Sequence, residues 1–212
     1  NDSLVGVRDP QGFRPLCLGK TENGYVLSSE SCAFDAIKAE FIRHIDPGEM
    51  VIIDDSGVRS TMYAEPEKID KKLCVFEYIY FARGDSHIDG QSVYQSRLNM
   101  GRELYNETKY DADIVMSIPD SGTTAALGYA RASGIPFAEG LVKNRYSGRT
   151  FIKPNQEERE LAVRMKLNAL PHIVGGKRIV LIDDSIVRGT TSGIIVKMLK
   201  EAGAKEVYMC VS

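Results

Sequence analysis

The chain has 212 residues and a formal net charge of −2, from 27 basic and 29 acidic side chains. This near-neutral balance gives no electrostatic footprint for nucleic acid or an anionic membrane, and no apolar run approaches the ~20 residues of a membrane-spanning helix. The four cysteines, Cys17, Cys32, Cys74 and Cys210, form no CxxC pair, so the sequence favours a reducing, cytoplasmic compartment over a disulfide framework.

Short strands and turns dominate the first part of the chain. Strands are predicted at residues 4–7, 15–18, 25–28 and 50–54, separated by Gly, Pro and Asn turns, with one helix over residues 31–43. Residues 1–63 are therefore predicted to form one β-rich unit. The charged, proline-containing stretch at 63–72 is predicted to be a linker.

Strands and helices alternate in the rest of the chain. Strands are predicted at residues 73–82, 112–118, 135–139, 177–182 and 206–211, and helices at 93–109, 123–133, 156–168 and 193–202. This alternation predicts an α/β architecture, a mostly parallel sheet with flanking helices. Because the chain opens within a β-rich unit and stops directly after a strand, we expect it to be a fragment of a longer protein.

The most informative motif is residues 183–192, which follow a strand that is predicted to be buried on both faces. Its chemistry-bearing residues are Asp183, Asp184, Ser185, Arg188, Gly189, Thr190, Thr191 and Ser192. The carboxylates can accept hydrogen bonds from ribose hydroxyls or face a divalent cation, and the following helix N-terminus can hold a phosphate. An ordinary strand end with a helix cap would explain one acid and one hydroxyl, but not the whole set.

A second loop of this type lies at residues 118–124, again between a predicted buried strand and a helix. Gly122 permits a tight turn or the close approach of a ligand, and the hydroxyls of Ser121, Thr123 and Thr124 can donate to phosphate oxygens. An ordinary helix cap is the alternative for this loop taken alone. Ligands of open α/β sheets bind at the carboxyl ends of the strands, so the two loops together predict one shared site that includes Asp120.

The third segment, residues 143–152, is basic and contains a glycine. Its cations are Lys143, Arg145 and Arg149, and Tyr146 lies among them. Beside two anion sites, such a loop is predicted to close over a polyanion and exclude water; a solvated basic loop is the alternative. The three segments together predict a site for a ribose that carries phosphate at two positions.

These motifs resemble those of a known family. Residues 183–192 match the phosphoribosyl pyrophosphate (PRPP) signature of type I phosphoribosyltransferases, and residues 6–16, 77–83 and 143–152 narrow the match to the glutamine PRPP amidotransferases. The resemblance covers essentially the whole chain. It implies that residues 1–63 are the C-terminal remnant of an N-terminal-nucleophile glutaminase domain. Residues 64–212 would then be a phosphoribosyltransferase domain that is truncated at its C-terminus.

The resemblance also implies an activity, amidophosphoribosyl transfer. Ammonia, which comes from glutamine in the full enzyme, displaces pyrophosphate from PRPP and gives 5-phosphoribosylamine, the first committed step of purine synthesis. The glutaminase half-reaction is expected to be absent, because the N-terminal Cys nucleophile is missing, and no catalytic nucleophile is expected in this chain. Further expectations are feedback by purine nucleotides and a homo-oligomer, a tetramer in the family, with no nucleic-acid or membrane partner.

By the same resemblance, each motif acquires a role in holding magnesium-bound PRPP. Residues 188–192 would hold the 5′-phosphate, the loop from Asp120 to Thr123 would approach the pyrophosphate, and residues 143–152 would form the closing loop. The implied magnesium-associated residues are Ser121, Asp183 and Asp184. The implied PRPP-binding residues are Asp120, Ser121, Gly122, Thr123, Lys143, Arg145, Tyr146, Arg149, Asp183, Asp184, Ser185, Arg188, Gly189, Thr190, Thr191 and Ser192.

Cys74 matches the first ligand position of the family members that carry an iron–sulfur cluster. Such clusters usually take four cysteine ligands, and the other three would lie beyond residue 212. A buried cysteine in a strand is the alternative.

Two other functions stay open at this point. A nucleobase salvage phosphoribosyltransferase would not carry the β-rich unit of residues 1–63. A non-catalytic PRPP or nucleotide sensor would usually carry a basic surface for nucleic acid, and no basic patch of that kind is visible in the sequence.

Overall fold

The computed structural model describes residues 2–144, 156–187 and 189–212. The chain forms two compact units, Asn1–Ser96 and Arg97–Ser212. The boundary predicted at residues 63–64 stays a prediction. Among the described residues, no helix combines the length and the apolar character that a membrane span requires.

The first unit is built from small antiparallel sheets. In chain order it contains β1 (Ser3–Val7), β2 (Cys17–Thr21), β3 (Gly24–Ser28), α1 (Cys32–Ile37), β4 (Glu40–His44), β5 (Glu49–Asp54), β6 (Gly57–Met62), β7 (His87–Ile88) and β8 (Gln91–Ser92). The sheets have the orders β1-β5-β6 and β3-β2-β4, and β7 pairs with β8. Leu18, Ile45 and Val51 form a buried cluster. The β-rich character predicted for this part of the chain is confirmed.

The helix predicted over residues 31–43 is wrong in its second half. Helix α1 ends at Ile37, where Lys38 adopts a left-handed conformation with φ 55°. The chain then reverses, and β4 pairs antiparallel with β2. Pairing with a neighbouring strand satisfies the backbone groups that a longer helix would have satisfied locally, so tertiary context overrides the helical spacing.

The strand predicted over residues 73–82 is also wrong. Its second half, Glu77–Phe81, forms a π-helical turn, and the predicted linker contains a short 3₁₀ turn, Pro66–Lys68. Glu77 is buried and pairs with Arg14, a contact that the apolar run around it could not reveal. Cys74 is half-buried and lies outside any strand, so the interpretation of Cys74 as a buried strand residue is wrong.

Helix α2 (Val93–Glu107) begins in the first unit and continues into the second. The remaining elements are β9 (Ile114–Ser117), α3 (Thr123–Ser133), β10 (Leu141–Lys143), α4 (Gln156–Lys166), β11 (Leu167–Ala169), α5 (Pro171–Val174), β12 (Arg178–Asp183), α6 (Thr190–Glu201) and β13 (Glu206–Val211). Strands β13, β12 and β9 form a parallel sheet in that order, and β10 pairs antiparallel with β11. The predicted α/β architecture with a mostly parallel sheet is confirmed.

The central strand β12 is buried on both faces, which explains its unbroken apolar run. Ile179 and Leu181 belong to one apolar cluster, and Val180 and Ile182 belong to another. Successive side chains of a strand point to opposite faces, so the two clusters cover the two sides of the sheet. In the parallel register, Ile182 lies opposite Ser117, so β9 and β12 end side by side.

Three predicted elements in this unit have different bounds. The strand predicted at 135–139 is reduced to a single parallel bridge between Val115 and Phe137. The helix predicted at 156–168 ends at Lys166, because the next residues form β11, whose Leu167 and Ala169 are buried. Helix α6 begins at Thr190 rather than at residue 193, so its first turn carries the predicted hydroxyls.

Candidate active site

Two loops leave the parallel sheet at adjacent carboxyl ends and contact each other. The Ile118 N–H, just after β9, donates to the Ile182 carbonyl oxygen at 2.9 Å. A Cβ atom at Gly122 would lie 2.5 Å from the Ile182 carbonyl oxygen and 3.2 Å from the Asp183 Cα. A larger residue does not fit at this position, so the close approach of Gly122 fixes the distance between the two predicted phosphate loops.

The loop after β9 leads directly into α3. Its Pro119–Asp120 peptide bond is cis. The Thr123 N–H donates to the Asp120 carbonyl oxygen at 3.3 Å, and the hydroxyl oxygens of Thr123 and Ser117 lie 3.1 Å apart. The first N–H groups of a helix have no intrahelical acceptor. Together with the nearby hydroxyls, they place several hydrogen-bond donors at this end of α3.

The adjacent carboxylates Asp183 and Asp184 lie in different surroundings. The Asp184 side chain is buried, and its Oδ1 accepts a hydrogen bond from the Ser185 hydroxyl at 3.2 Å. Its Oδ2 has no hydrogen-bond partner among the described residues. The Asp183 Oδ1 accepts the Asp184 N–H at 3.0 Å. A buried carboxylate oxygen without a partner is destabilising, so Asp184 Oδ2 marks a position where a ligand would supply a donor or a cation.

Burial raises the pKa of Asp183 from 3.8 to about 6; the hydrogen bond from the Asp184 N–H opposes this rise, and the charge of Asp184 adds to it. A bound cation or hydroxyl donor would favour the ionised form of Asp183. Ligand binding at this acid pair is therefore linked to proton release.

This raised pKa predicts a pH dependence of folding. We expect the contribution of Asp183 to the free energy of unfolding to be complete below pH 3.8 and to be lost as the pH rises through about 6. In that window the folded chain keeps a proton that the unfolded chain has already released. Urea unfolding of the ligand-free chain and of Asp183→Asn between pH 4 and pH 8 isolates this contribution, since all other titrating groups are shared. Identical pH profiles for the two proteins would contradict it.

Helix α6 begins at the same edge of the sheet. Gly189 precedes it with φ 70°, a left-handed conformation that glycine adopts without strain. Thr190, Thr191 and Ser192 form the first turn of the helix. Their hydroxyls and the N–H groups of that turn provide hydrogen-bond donors suited to a phosphate.

A cavity of about 470 Å³ lies beside the Asp120 loop, and Lys143 and Glu139 are among its lining residues. The Lys143 Nζ donates to the Asp120 Oδ2 at 2.5 Å. The backbone of Lys143 is held by the pairing of β10 with β11, and the next N–H, of Asn144, donates to the Lys166 carbonyl oxygen at 2.7 Å. Lys143 therefore approaches the Asp120 loop from a fixed strand end.

The structure brings most of the predicted site residues to one edge of the sheet. Residues from Asp120 to Thr123 meet the end of β12 through Gly122, and Lys143 joins them through Asp120. The other residues at this edge are Asp183, Asp184, Ser185, Gly189, Thr190, Thr191 and Ser192. Four other predicted ligand-binding residues lie outside the described part of the chain: Arg145, Tyr146, Arg149 and Arg188.

Sequence reasoning missed two polar residues that line this cavity outside the predicted segments, Ser117 and Glu139. A usable signal existed for Ser117, because it is a polar residue at the end of the apolar strand β9, just as Asp183 ends β12. Glu139 carries no comparable signal, since its place in the cavity depends on the bridge between Val115 and Phe137.

The acid pair fits the way in which proteins bind magnesium. Across the described ranges, no three or more His, Cys, Asp or Glu side chains are grouped to hold a metal ion. Magnesium commonly uses only one or two carboxylates and completes its shell with water and ligand phosphates. The unpartnered oxygen of Asp184, beside the Asp183 carboxylate, suits that kind of shared site.

Comparison with known proteins gives a family model, the phosphoribosyl transferase domain, that matches residues 99–212. The chain is 56% identical to the amidophosphoribosyltransferase of Archaeoglobus fulgidus over 209 residues, which is 99% of this chain and 45% of that protein. It is 52% identical to the Bacillus subtilis amidophosphoribosyltransferase over 209 residues, 99% of this chain and 44% of that protein. The chain thus spans a little under half the length of these curated relatives.

A solved structure of similar sequence also matches the fold. It is the glutamine PRPP amidotransferase from B. subtilis in complex with ADP and GMP, with a TM-score of 0.90 and 51% identity. The match covers 98% of this chain and 45% of that one. The likeness therefore extends over both compact units.

Proposed function

Since the chain belongs to the phosphoribosyl transferase domain family, we propose that it binds PRPP and transfers its phosphoribosyl group to ammonia. The product is 5-phosphoribosylamine, and in the full-length protein the ammonia would come from glutamine. The observation that carries the proposal is the buried, unpartnered Oδ2 of Asp184 at the point where the two phosphate-type loops meet.

Three parts of the site match the three parts of PRPP. The neighbouring carboxylates Asp183 and Asp184 suit the two adjacent hydroxyls of the ribose, because a carboxylate accepts strong hydrogen bonds. The first turn of α6, residues 190–192, suits the 5′-phosphate. The loop from Asp120 to Thr123 suits the pyrophosphate, and Lys143 adds a positive charge beside it.

The reaction needs positioning rather than a protein nucleophile. The ammonia nitrogen forms a bond to the anomeric carbon, the bond from that carbon to pyrophosphate breaks, and the nitrogen loses one proton. Fixing the ribose and pyrophosphate between two rigid strand ends supplies the orientation on which such a displacement depends.

Asp183, Asp184 and Ser121 would hold magnesium together with the phosphate oxygens of PRPP. Magnesium, when bound, neutralises negative charge on the departing pyrophosphate. The burial of Asp184 and the raised pKa of Asp183 support this assignment, because both are conditions that a cation would relieve.

Further parts of the proposal concern the full-length protein. We propose that residues 1–63 are the end of a glutaminase domain, that the protein is a cytoplasmic homo-oligomer, and that Cys74 is a candidate iron–sulfur ligand. Purine nucleotides are proposed as regulators, supported by the ADP and GMP in the B. subtilis relative.

Pyrophosphate release tests the function directly. The purified chain is mixed with PRPP and Mg²⁺ at alkaline pH, with ammonium, glutamine or a purine base as the acceptor. We expect release with ammonium and none with the base. Release that needs the base would support a salvage enzyme instead, and PRPP binding without release would support a sensor.

A further inference from the structure

The described lining of the cavity beside the Asp120 loop carries more negative than positive charge. Among the described residues that line it, Lys143 is the only cation, whereas Asp120 and Glu139 are both acids. Bare pyrophosphate carries several negative charges, so two nearby carboxylates repel it. A pyrophosphate that arrives with a divalent cation is repelled much less.

Asp120 also forms an ion pair with Lys143, the cation that an incoming phosphate would bind. Its Oδ2 accepts a hydrogen bond from the Lys143 Nζ at 2.5 Å, and the two side chains are 77% and 54% exposed, respectively. Ion pairs this exposed are weak. A ligand that brings its own cation can therefore separate Asp120 from Lys143, because that cation compensates the Asp120 carboxylate in place of Lys143. A metal-free anion that takes Lys143 leaves the Asp120 charge uncompensated beside it.

We propose that Asp120 is a specificity-determining residue, which competes with ligand anions for Lys143. The cavity would then accept a phosphoanhydride together with its divalent cation and discriminate against metal-free pyrophosphate and simple phosphate. This inference rests on the proposed function, in which pyrophosphate is the leaving group. It adds that the Asp120 carboxylate makes the cavity select the metal-bound form of its ligand.

Calorimetric titration with inorganic pyrophosphate, in excess Mg²⁺ or in EDTA, tests this on the full chain. Asp120→Asn removes the competing charge and keeps the shape of the side chain. Glu139→Gln is the matched control, because it removes the same charge from the same cavity, while Glu139 makes no ion pair with Lys143. The double variant Asp120→Asn/Lys143→Met also removes the cation.

We expect Asp120→Asn to bind metal-free pyrophosphate roughly three- to fivefold more tightly than the unchanged chain, since an exposed ion pair no longer competes. Glu139→Gln should gain about twofold in the same affinity at most, because only the screened repulsion between Glu139 and pyrophosphate is lost. The gain should disappear in the double variant, since it depends on both residues. Inorganic phosphate in the same titrations should give the same ranking of variants.

Three results would overturn this inference alone. One is an equal gain in affinity in Asp120→Asn and Glu139→Gln, and another is a gain that persists without Lys143. The third is that the unchanged chain binds magnesium pyrophosphate, but Asp120→Asn gains no affinity for metal-free pyrophosphate. That result would reject only the role of Asp120. Failure of the unchanged chain to bind magnesium pyrophosphate at all would overturn the proposed function and this inference together.

Discussion

Replacing Asp184 with asparagine is expected to reduce ammonium-dependent pyrophosphate release by ~100-fold or more, since a charged hydrogen-bonding partner of the ligand is lost. The fold should nevertheless become no less stable. In the ligand-free chain the Asp184 carboxylate is buried, with one oxygen unpartnered, and removing an uncompensated charge relieves that penalty. We expect the melting temperature to stay the same or to rise by about 2–4 °C.

The opposite directions of these two effects separate a binding role from a structural one. Asp111→Asn is the matched control, because the same chemical change is made at an exposed carboxylate that pairs with Arg178 at the other end of β12. It should keep pyrophosphate release within about twofold and lower stability by less than ~1 kcal/mol. Loss of both activity and thermal stability in Asp184→Asn would show that Asp184 supports the fold instead.

Alanine at Gly122 is expected to lower pyrophosphate release by ~100-fold, because a displacement of about 1 Å in a positioning loop can have an effect of that size. The added Cβ would lie 2.5 Å from the Ile182 carbonyl oxygen, and a backbone atom within a sheet cannot move aside. The loop after β9 must therefore move away from the end of β12. We also expect a loss of about 1–3 kcal/mol in the free energy of unfolding, as for other overpacked sites.

Gly193→Ala provides the control for that variant. Gly193 lies within α6, and a Cβ there would meet nothing within 4 Å. Alanine should retain activity and raise the free energy of unfolding by about 0.5–1 kcal/mol, since it favours the helix more than glycine does. Kinetics and urea unfolding on the two variants compare them directly. Normal activity in Gly122→Ala would mean that the two loops tolerate a wider separation than the structure shows.

The parallel sheet could be predicted because its signals are local. The strands predicted at 112–118 and 177–182 contain the uninterrupted apolar runs 114–116 and 179–182, and each strand is followed by polar residues and a helix. The failures at 31–43 and 73–82 have a common cause. In both segments the spacing of the apolar residues is compatible with more than one backbone conformation. The observed conformation involves partners elsewhere in the chain, strand β2 for the first segment and Arg14 for the second.

The composition of the site was predictable, but its internal differences were not. Carboxylates, hydroxyls and glycines beside strand ends predict a phosphate site from the sequence alone. The sequence treats Asp183 and Asp184 as equivalent, whereas packing buries Asp184 and leaves one of its oxygens without a partner. The pairing of Lys143 with Asp120 is equally invisible in the sequence, because it joins residues from two separate elements.

The central position of β12 has a consequence for how the site arises during folding. Its pairing with β9 brings together residues about 65 positions apart, as in the contact of Arg178 with Asp113, whereas β13 follows after the single helix α6. Since closing a longer loop loses more chain entropy, we expect β12 and β13 to associate first and β9 to dock later. The contact of Gly122 with Ile182 exists only after that docking. A ligand of this site would therefore recognise only chains whose sheet is complete, and would select them from partly folded ones.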